Sequence, residues 1–186
     1  TDNATGTDTM GSETAADETT TDQDAATPEA SSQVRAVHAV PDAPNVDVYV
    51  DDEPLLEDAP FRAVSDYYPI SEGDHDVRIT AAGDPDTVVF DDTVTVPADA
   101  ALSLVAFGEL ASDSLEVGAF TDDVSPVEAD QSRLRALHLS PDAPAVDIAV
   151  AGESEPLVSE LAFGSASEYA TVPAGEYTLE IRPAGE

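Results

Sequence analysis

The 186-residue chain has no Cys, no Trp and no Lys, a single Met, and six cations that are all Arg: Arg35, Arg62, Arg78, Arg133, Arg135 and Arg182. Without Cys there is no disulfide framework, no thiolate metal site and no cysteine nucleophile, so stability has to come from a packed core. With 6 basic and 40 acidic residues the formal charge is −34. That excludes a nucleic-acid backbone binder, which needs Lys and Arg to neutralise phosphates. It equally opposes an anionic membrane surface, and no run approaches the roughly 18 to 20 apolar residues of a spanning helix. Lack of Trp weighs against a dedicated carbohydrate-binding module.

The acids define a habitat. Arg offers a planar fork for fixed ion pairs, whereas Lys is a strongly hydrated point charge on a long stem. A carboxylate-rich surface free of Lys resembles the proteins of salt-loving archaea. At ~1 M salt the Debye length is about 3 Å, so repulsion that would strain the fold in dilute buffer is screened.

Composition changes near residue 33. Residues 1–32 hold eight acids, no base, and no Val, Leu, Ile, Phe or Tyr. Such a segment cannot offset its chain entropy by burial, and the expectation is a disordered acidic Thr/Asp-rich tether. The start at Thr1, with no initiator Met and no apolar leader core, suggests a leader that has been removed or that lies outside this sequence, with a lipid anchor upstream as one mode of attachment. Asn3-Ala4-Thr5 fits the N-glycosylation sequon.

Sliding the chain against itself reveals a repeat. Residues Arg35 to Val48 align with Arg135 to Ile148 at an offset of 100, each containing His-x-x-Pro-Asp-Ala-Pro. After two inserted residues Phe61, Ser65, Tyr67, Gly73, Ile79 and Gly83 match Phe163, Ser167, Tyr169, Gly175, Ile181 and Gly185 at an offset of 102. The first copy is assigned to 33–128 and the second, incomplete copy to 129–186. A shortened unit of this kind has open edges and half a core, so either the chain is a fragment or the second copy completes itself against the first or a partner; the fragment is the favoured reading.

Valines alternating at Val46, Val48 and Val50 give the period-two pattern of a half-buried strand, and Pro or Gly interrupts every stretch long enough for a core helix. Seven strands are expected in the first copy, at 34–40, 45–50, 62–68, 76–81, 87–96, 101–107 and 114–120. The fold class is all-β: tandem immunoglobulin-like, Greek-key β-sandwiches.

The segments His38 to Val50 and His138 to Val150, together with the Phe-Gly-x-x-Ser-Glu-Tyr-x-x-Val-Pro-Ala-Gly-Glu-Tyr pattern at 163–177, resemble the DUF4397 family, domains of unknown function often found in tandem in secreted or envelope proteins. The resemblance covers residues 33–186. It implies a β-sandwich and an extracytoplasmic setting, and supplies no catalytic residues. The first copy departs from it where Pro-Ala-Gly-Glu-Tyr becomes Ser71-Glu72-Gly73-Asp74-His75, losing the aromatic.

Physically, Pro-Asp-Ala-Pro is a turn device. Pro41, Pro44, Pro141 and Pro144 fix φ, and Asp42 and Asp142 cap the turn through their side chains. His38 and His138 stand three residues before it. One reading makes them metal or acid–base groups working with Asp42 and Asp47, or with Asp142 and Asp147; the favoured reading is a partly buried ring bonded to the turn backbone, since one His per copy is a poor zinc constellation. Asp47 is expected on a solvated face. The acidic runs at Asp51-Asp52-Glu53, Glu72 to Asp76, Asp84 to Asp86 and Asp91-Asp92 suit calcium better than zinc, yet none has EF-hand spacing. Phe163-Gly164-Ser165-Ala166-Ser167 lacks the Gly-x-Ser-x-Gly pattern of a nucleophile elbow, so no enzyme and no cofactor is expected.

Tyr49 and Tyr68 of the first copy become Ala149 and Ala170 in the second. If their strands are neighbours they form an outward aromatic patch for a sugar or protein partner, or a cross-strand pair. The functional expectation is a non-catalytic module of a halophilic archaeon, secreted or anchored at the cell surface, with a structural or adhesion-like role among envelope proteins or glycans; the alternative is a glycan- or calcium-binding module, accessory to a larger enzyme.

Overall fold

The computed structural model describes residues 32–153 and 155–185, and every regular element among them is a β-strand. The Asn3 sequon and the tether lie outside the described residues, apart from Ser32. Sequence places Ser32 in the tether, but it is buried and opens β1 (Ser32–His38); its hydroxyl donates to the Pro97 carbonyl at 2.6 Å and accepts from Ala100 N–H at 3.1 Å.

The first repeat is a sandwich of two four-stranded sheets. One has the order β4 (Tyr68–Ile70), β1, β7 (Ala101–Phe107), β8 (Glu116–Asp122); the other has β3 (Glu53–Ala59), β2 (Val46–Val50), β5 (Gly73–Ala81), β6 (Asp84–Val96). All neighbours are antiparallel except β1 and β7, which run parallel. The chain passes from sheet to sheet after β1, β3, β4 and β6, so both sheets contribute to one core. Val34, Ala36, Leu102, Leu104 and Ala106 from one sheet meet Val46, Val48, Val77, Ile79 and Val96 from the other.

Eight strands form where seven are expected. The additional one, β3, is acid-rich and opens with Glu53-Pro54; its pairing with β2 slips register on either side of Val48, so only Leu55 and Ala59 are fully buried. A bulge breaks the period-two rule on which strand recognition depends. The strand expected at 62–68 is instead a turn with one isolated bridge, Val37 to Val64, and pairing begins at Tyr68.

The second repeat retains part of this plan. β11 (Val146–Val150) sits between β12 (Pro156–Leu161) and β15 (Leu179–Pro183), while β9 (Gln131–Leu134) pairs with β14 (Ala170–Pro173) and β10 (Leu137–His138) with β13 (Ser165–Ala166). Val77 and Ile79 are covered in the first repeat, whereas their counterparts Leu179 and Ile181 are exposed. The second repeat packs on the outer face of the β4-β1-β7-β8 sheet, where Phe163 meets Phe107 edge-on with centroids 5.5 Å apart. Both faces of β7 are thereby covered, and all seven of its residues are buried.

Candidate functional site

The two Pro-Asp-Ala-Pro turns share one construction. His38 is 2% exposed; its Nε2–H donates to the Pro44 carbonyl at 3.3 Å and its Nδ1 faces Val40 N–H at 3.5 Å. His138 repeats the pattern with Pro144 at 2.9 Å and Ser140 N–H at 3.4 Å. Each ring spans its turn and is set edge-on against a Phe, His38 against Phe61 and His138 against Phe163. Burial holds the His38 pKa below the usual 6.5, with the Pro44 carbonyl acting in the opposite sense, so the neutral ring belongs to the fold. No three His, Asp or Glu side chains converge as metal ligands among the described residues.

The turn acids diverge. Asp42 accepts N–H groups of Leu110 and Ala111, both at 2.9 Å, tying the β7–β8 loop to the turn; these two donors hold its carboxyl below the usual carboxylate range. Asp142 meets only Ser140 Oγ, at 3.0 Å, among the described residues. Asp47 is not solvated as expected. It is buried, because the bulge of β3 and the β5–β6 turn fold over it and donate Asp58 N–H at 2.7 Å and Gly83 N–H at 3.0 Å. Asp147 does the same for Glu160 and Gly185, which lower its pKa. Asp58 and Glu160 have φ of 48° and 51°, and the carboxylate holds each bulge in that left-handed conformation. Ser65 and Ser167, near the apparent nucleophile segment, accept from Ala36 and Ala136 N–H and donate to the next carbonyl, as structural links.

Asp122, at the end of β8, joins the repeats. Its Oδ2 accepts from Ser103 Oγ at 2.5 Å and Tyr67 Oη at 2.6 Å and lies 3.5 Å from Arg35 Nη2. Its Oδ1 accepts from Arg135 Nη2 at 2.5 Å and Tyr169 Oη at 3.3 Å. Arg35 and Arg135 are equivalent positions, as are Tyr67 and Tyr169, so the Arg–Tyr pairs of both repeats grip one carboxylate. Each guanidinium also lies 4.8 Å from the ring centroid of its own Tyr. Burial first, then the Asp122 contact, pushes the Tyr67 pKa up to about 12.

This union leaves a cleft of about 700 Å³ between the two turns, lined by Pro41, Asp42, Phe61 and Arg62 of the first repeat, Glu109 of the β7–β8 loop, and Leu139 to Asp142 of the second. Its volume falls within the range of small-ligand sites. Phe61 is 41% exposed. Arg62 follows it with φ of 73°, stacked 5.3 Å from the Phe61 centroid. The equivalent residue of the second repeat is Gly164, with φ of 72°. Left-handed backbone costs a residue with a Cβ roughly 1–2 kcal/mol, and Gly nothing comparable.

A family model described as a domain of unknown function, DUF4397, matches residues 32–149, from the start of β1 into β11. The chain belongs to the DUF4397 family. No curated protein matches it. The matched span of this DUF4397 chain includes both Pro-Asp-Ala-Pro turns, Asp122 and Arg135, hence most of the clamp and both walls of the cleft.

The DUF4397 chain does not assemble the expected tyrosine patch. Tyr49 lies on β2 in one sheet, half-buried beneath Arg78 at 5.3 Å, and Tyr68 lies on β4 in the other. Shared parity within separate strands carries no information about which strands pair.

The third histidine, His75, lies in an acidic run that gives no local sign of its partner Asp51. His75 takes the place of Tyr177: Tyr177 Oη donates to the Pro173 carbonyl at 2.7 Å, and His75 Nε2 to the equivalent Ser71 carbonyl at 3.0 Å. Its Nδ1 lies 2.6 Å from Asp51 Oδ2, where the second repeat has Ala151. Two acceptors on one ring require the imidazolium. Burial opposes that charge, but the Asp51 and Ser71 contacts prevail and raise the pKa above 6.5; the His75 contact, against a smaller desolvation, draws Asp51 below 3.8. Stability from His75 is therefore full below pH 6.5 and lost as pH rises through the raised value, while that from Asp51 is present above 3.8 and lost as pH falls through the lowered one. Proton NMR is expected to find His75 titrating above 6.5 and His38 below it. The Asp51→Ala/His75→Tyr pair, which copies the second repeat, is expected to fold and to lose the alkaline weakening; persistence of that weakening in urea titrations would show that its source lies elsewhere.

Proposed function

We propose that this chain is a non-catalytic interaction module of a halophilic archaeon, secreted or held at the cell surface, with a structural or adhesion-like role among envelope components. The observation that carries the reading is where the reactive side chains are spent. His38, His138, Asp42, Asp47, Asp147, Ser65 and Ser167 each bond the backbone of their own repeat, and Asp122 is consumed in joining the repeats. Nucleophilic catalysis needs a nucleophile and a base within reach of each other and of a substrate, and these groups are committed to architecture. A folded body with a carboxylate skin suits display in brine.

Extracytoplasmic display is tested with an epitope-tagged chain in a salt-loving archaeal host. Protease added to intact cells is expected to remove the tag from the cell-bound fraction, or the tag is recovered from the medium. A tag protected until the cells are lysed would overturn the proposal.

A further inference from the structure

Resting on the module reading, we propose that the cleft between the Pro-Asp-Ala-Pro turns binds a carboxylate-bearing sugar ring, with Arg62 gripping the carboxylate and Phe61 supporting the ring. Four observations converge on Arg62. It occupies a left-handed position that the other repeat gives to Gly164. Its guanidinium is paired with no carboxylate among the described residues, in a chain with 40 acids. It stacks on an aromatic that is itself 41% exposed. And it borders a cleft of about 700 Å³. Left-handed residues such as Asp58 are held by a structural carboxylate, whereas the Arg62 side chain has no such partner among the described residues and borders a cleft, which directs the inference to a ligand.

The remaining walls define the ligand. Phe61, Pro41 and Pro141 present apolar surface suited to the C–H face of a pyranose, since an aromatic ring offers a flat half-wet platform. Asp142 and Glu109 offer acceptors for hydroxyl donors, and Asp142 has only Ser140 Oγ among described residues. A planar guanidinium fork takes a carboxylate through two parallel bonds. A dianionic phosphate would meet the same acids as repulsion, whereas a monoanionic, hydroxyl-rich ring uses both the cation and the acceptors. The chain's net charge of −34 is screened within about 3 Å at ~1 M salt, leaving the contact at Arg62 intact. Affinity for an anionic sugar should therefore rise with salt, the reverse of its behaviour at a basic surface.

The test titrates the full chain with tetragalacturonate and with neutral maltotetraose, followed by amide NMR. In about 3 M NaCl tetragalacturonate is expected to bind at least about tenfold more tightly than maltotetraose, with shifts centred on Phe61, Arg62, Ser140 and Asp142, and to weaken at about 0.3 M. Arg62→Gly is expected to abolish the preference while raising the melting temperature by about 2–6 °C, because it relieves the left-handed strain. That rise separates loss of a ligand contact from loss of fold. Equal binding of the two probes, no binding of either, or undiminished tetragalacturonate binding by Arg62→Gly would overturn the assignment. Surface exposure is read independently: a tag shaved from intact cells with no uronate binding retains the module and removes the ligand.

Discussion

Replacing Asp122 by Ala is expected to lower the unfolding free energy by about 3–5 kcal/mol, the range for removing one partner of a buried ion pair. The side chain of Asp122 is 3% exposed and that of Arg135 only 9%, so without the carboxylate the Arg135 charge is left in a dry interface. Arg35 is less affected, because its side chain is 33% exposed and can turn to water. The hydroxyls of Tyr67, Ser103 and Tyr169 lose their acceptor together. For a chain of this length the loss corresponds to roughly 6–20 °C in melting temperature. Asp122→Asn keeps the shape and one acceptor and is expected to fall between Ala and the parent. Urea titrations in constant high salt measure the difference, and a loss below about 1 kcal/mol would mean that the clamp does not hold the repeats.

The second large effect is that of salt. Moving from about 3 M to about 0.1 M NaCl is expected to reduce the melting temperature by roughly 10 °C or more and to loosen the fold, because the Debye length grows from under 3 Å to about 10 Å. Few acids are compensated locally: the Arg–carboxylate pairs among the described residues are Arg35–Asp122, Arg135–Asp122 and Arg133–Asp123. The β5–β6 ribbon avoids direct like-charge pairs by setting Thr95 opposite Asp74, Thr93 opposite Asp76 and Arg78 opposite Asp91. The threonine hydroxyls donate to Asp74 at 2.6 Å and to Asp76 at 3.0 Å. Short-range contacts are thus arranged, and what remains is a long-range field that only counterions remove. Circular dichroism melts across the salt series check this, and an unchanged spectrum and melting temperature would contradict it.

Much of the scaffold is legible in the residues because it is local. Valine alternation in β2, proline-fixed turns and the repeat at offsets of 100 and 102 each concern neighbours or copies in the chain. The hydrogen-bond pattern of Asp47 with Asp58 and Gly83 recurs at Asp147 with Glu160 and Gly185, so this carboxylate clamp is common to both copies. Features that depend on strand order were hidden. Asp122 gathers Arg35, Tyr67, Ser103, Arg135 and Tyr169 from five separate segments, and nothing local distinguishes it from other acids. The placement of Tyr49 and Tyr68 on different sheets is a matter of order too. Parity gives the face of a strand but not what folds over that face, which is why Asp47 is buried rather than solvated. For Arg62 the signal was present: aligned at offset 102 it stands opposite Gly164, and a Gly replaced by Arg at a turn announces a backbone position that an ordinary side chain would avoid.

The claim on which cleft and module both depend is that the two repeats behave as one body fastened at Asp122. Native-state hydrogen exchange of the parent chain in about 3 M salt addresses it directly. Amides of β10 and β13 in the second repeat are predicted to open with the same free energy as those of β7 and β8, and to become separately labile in Asp122→Ala. Second-repeat amides that exchange far faster than β7 in the parent chain, and are unaltered by the substitution, would contradict it.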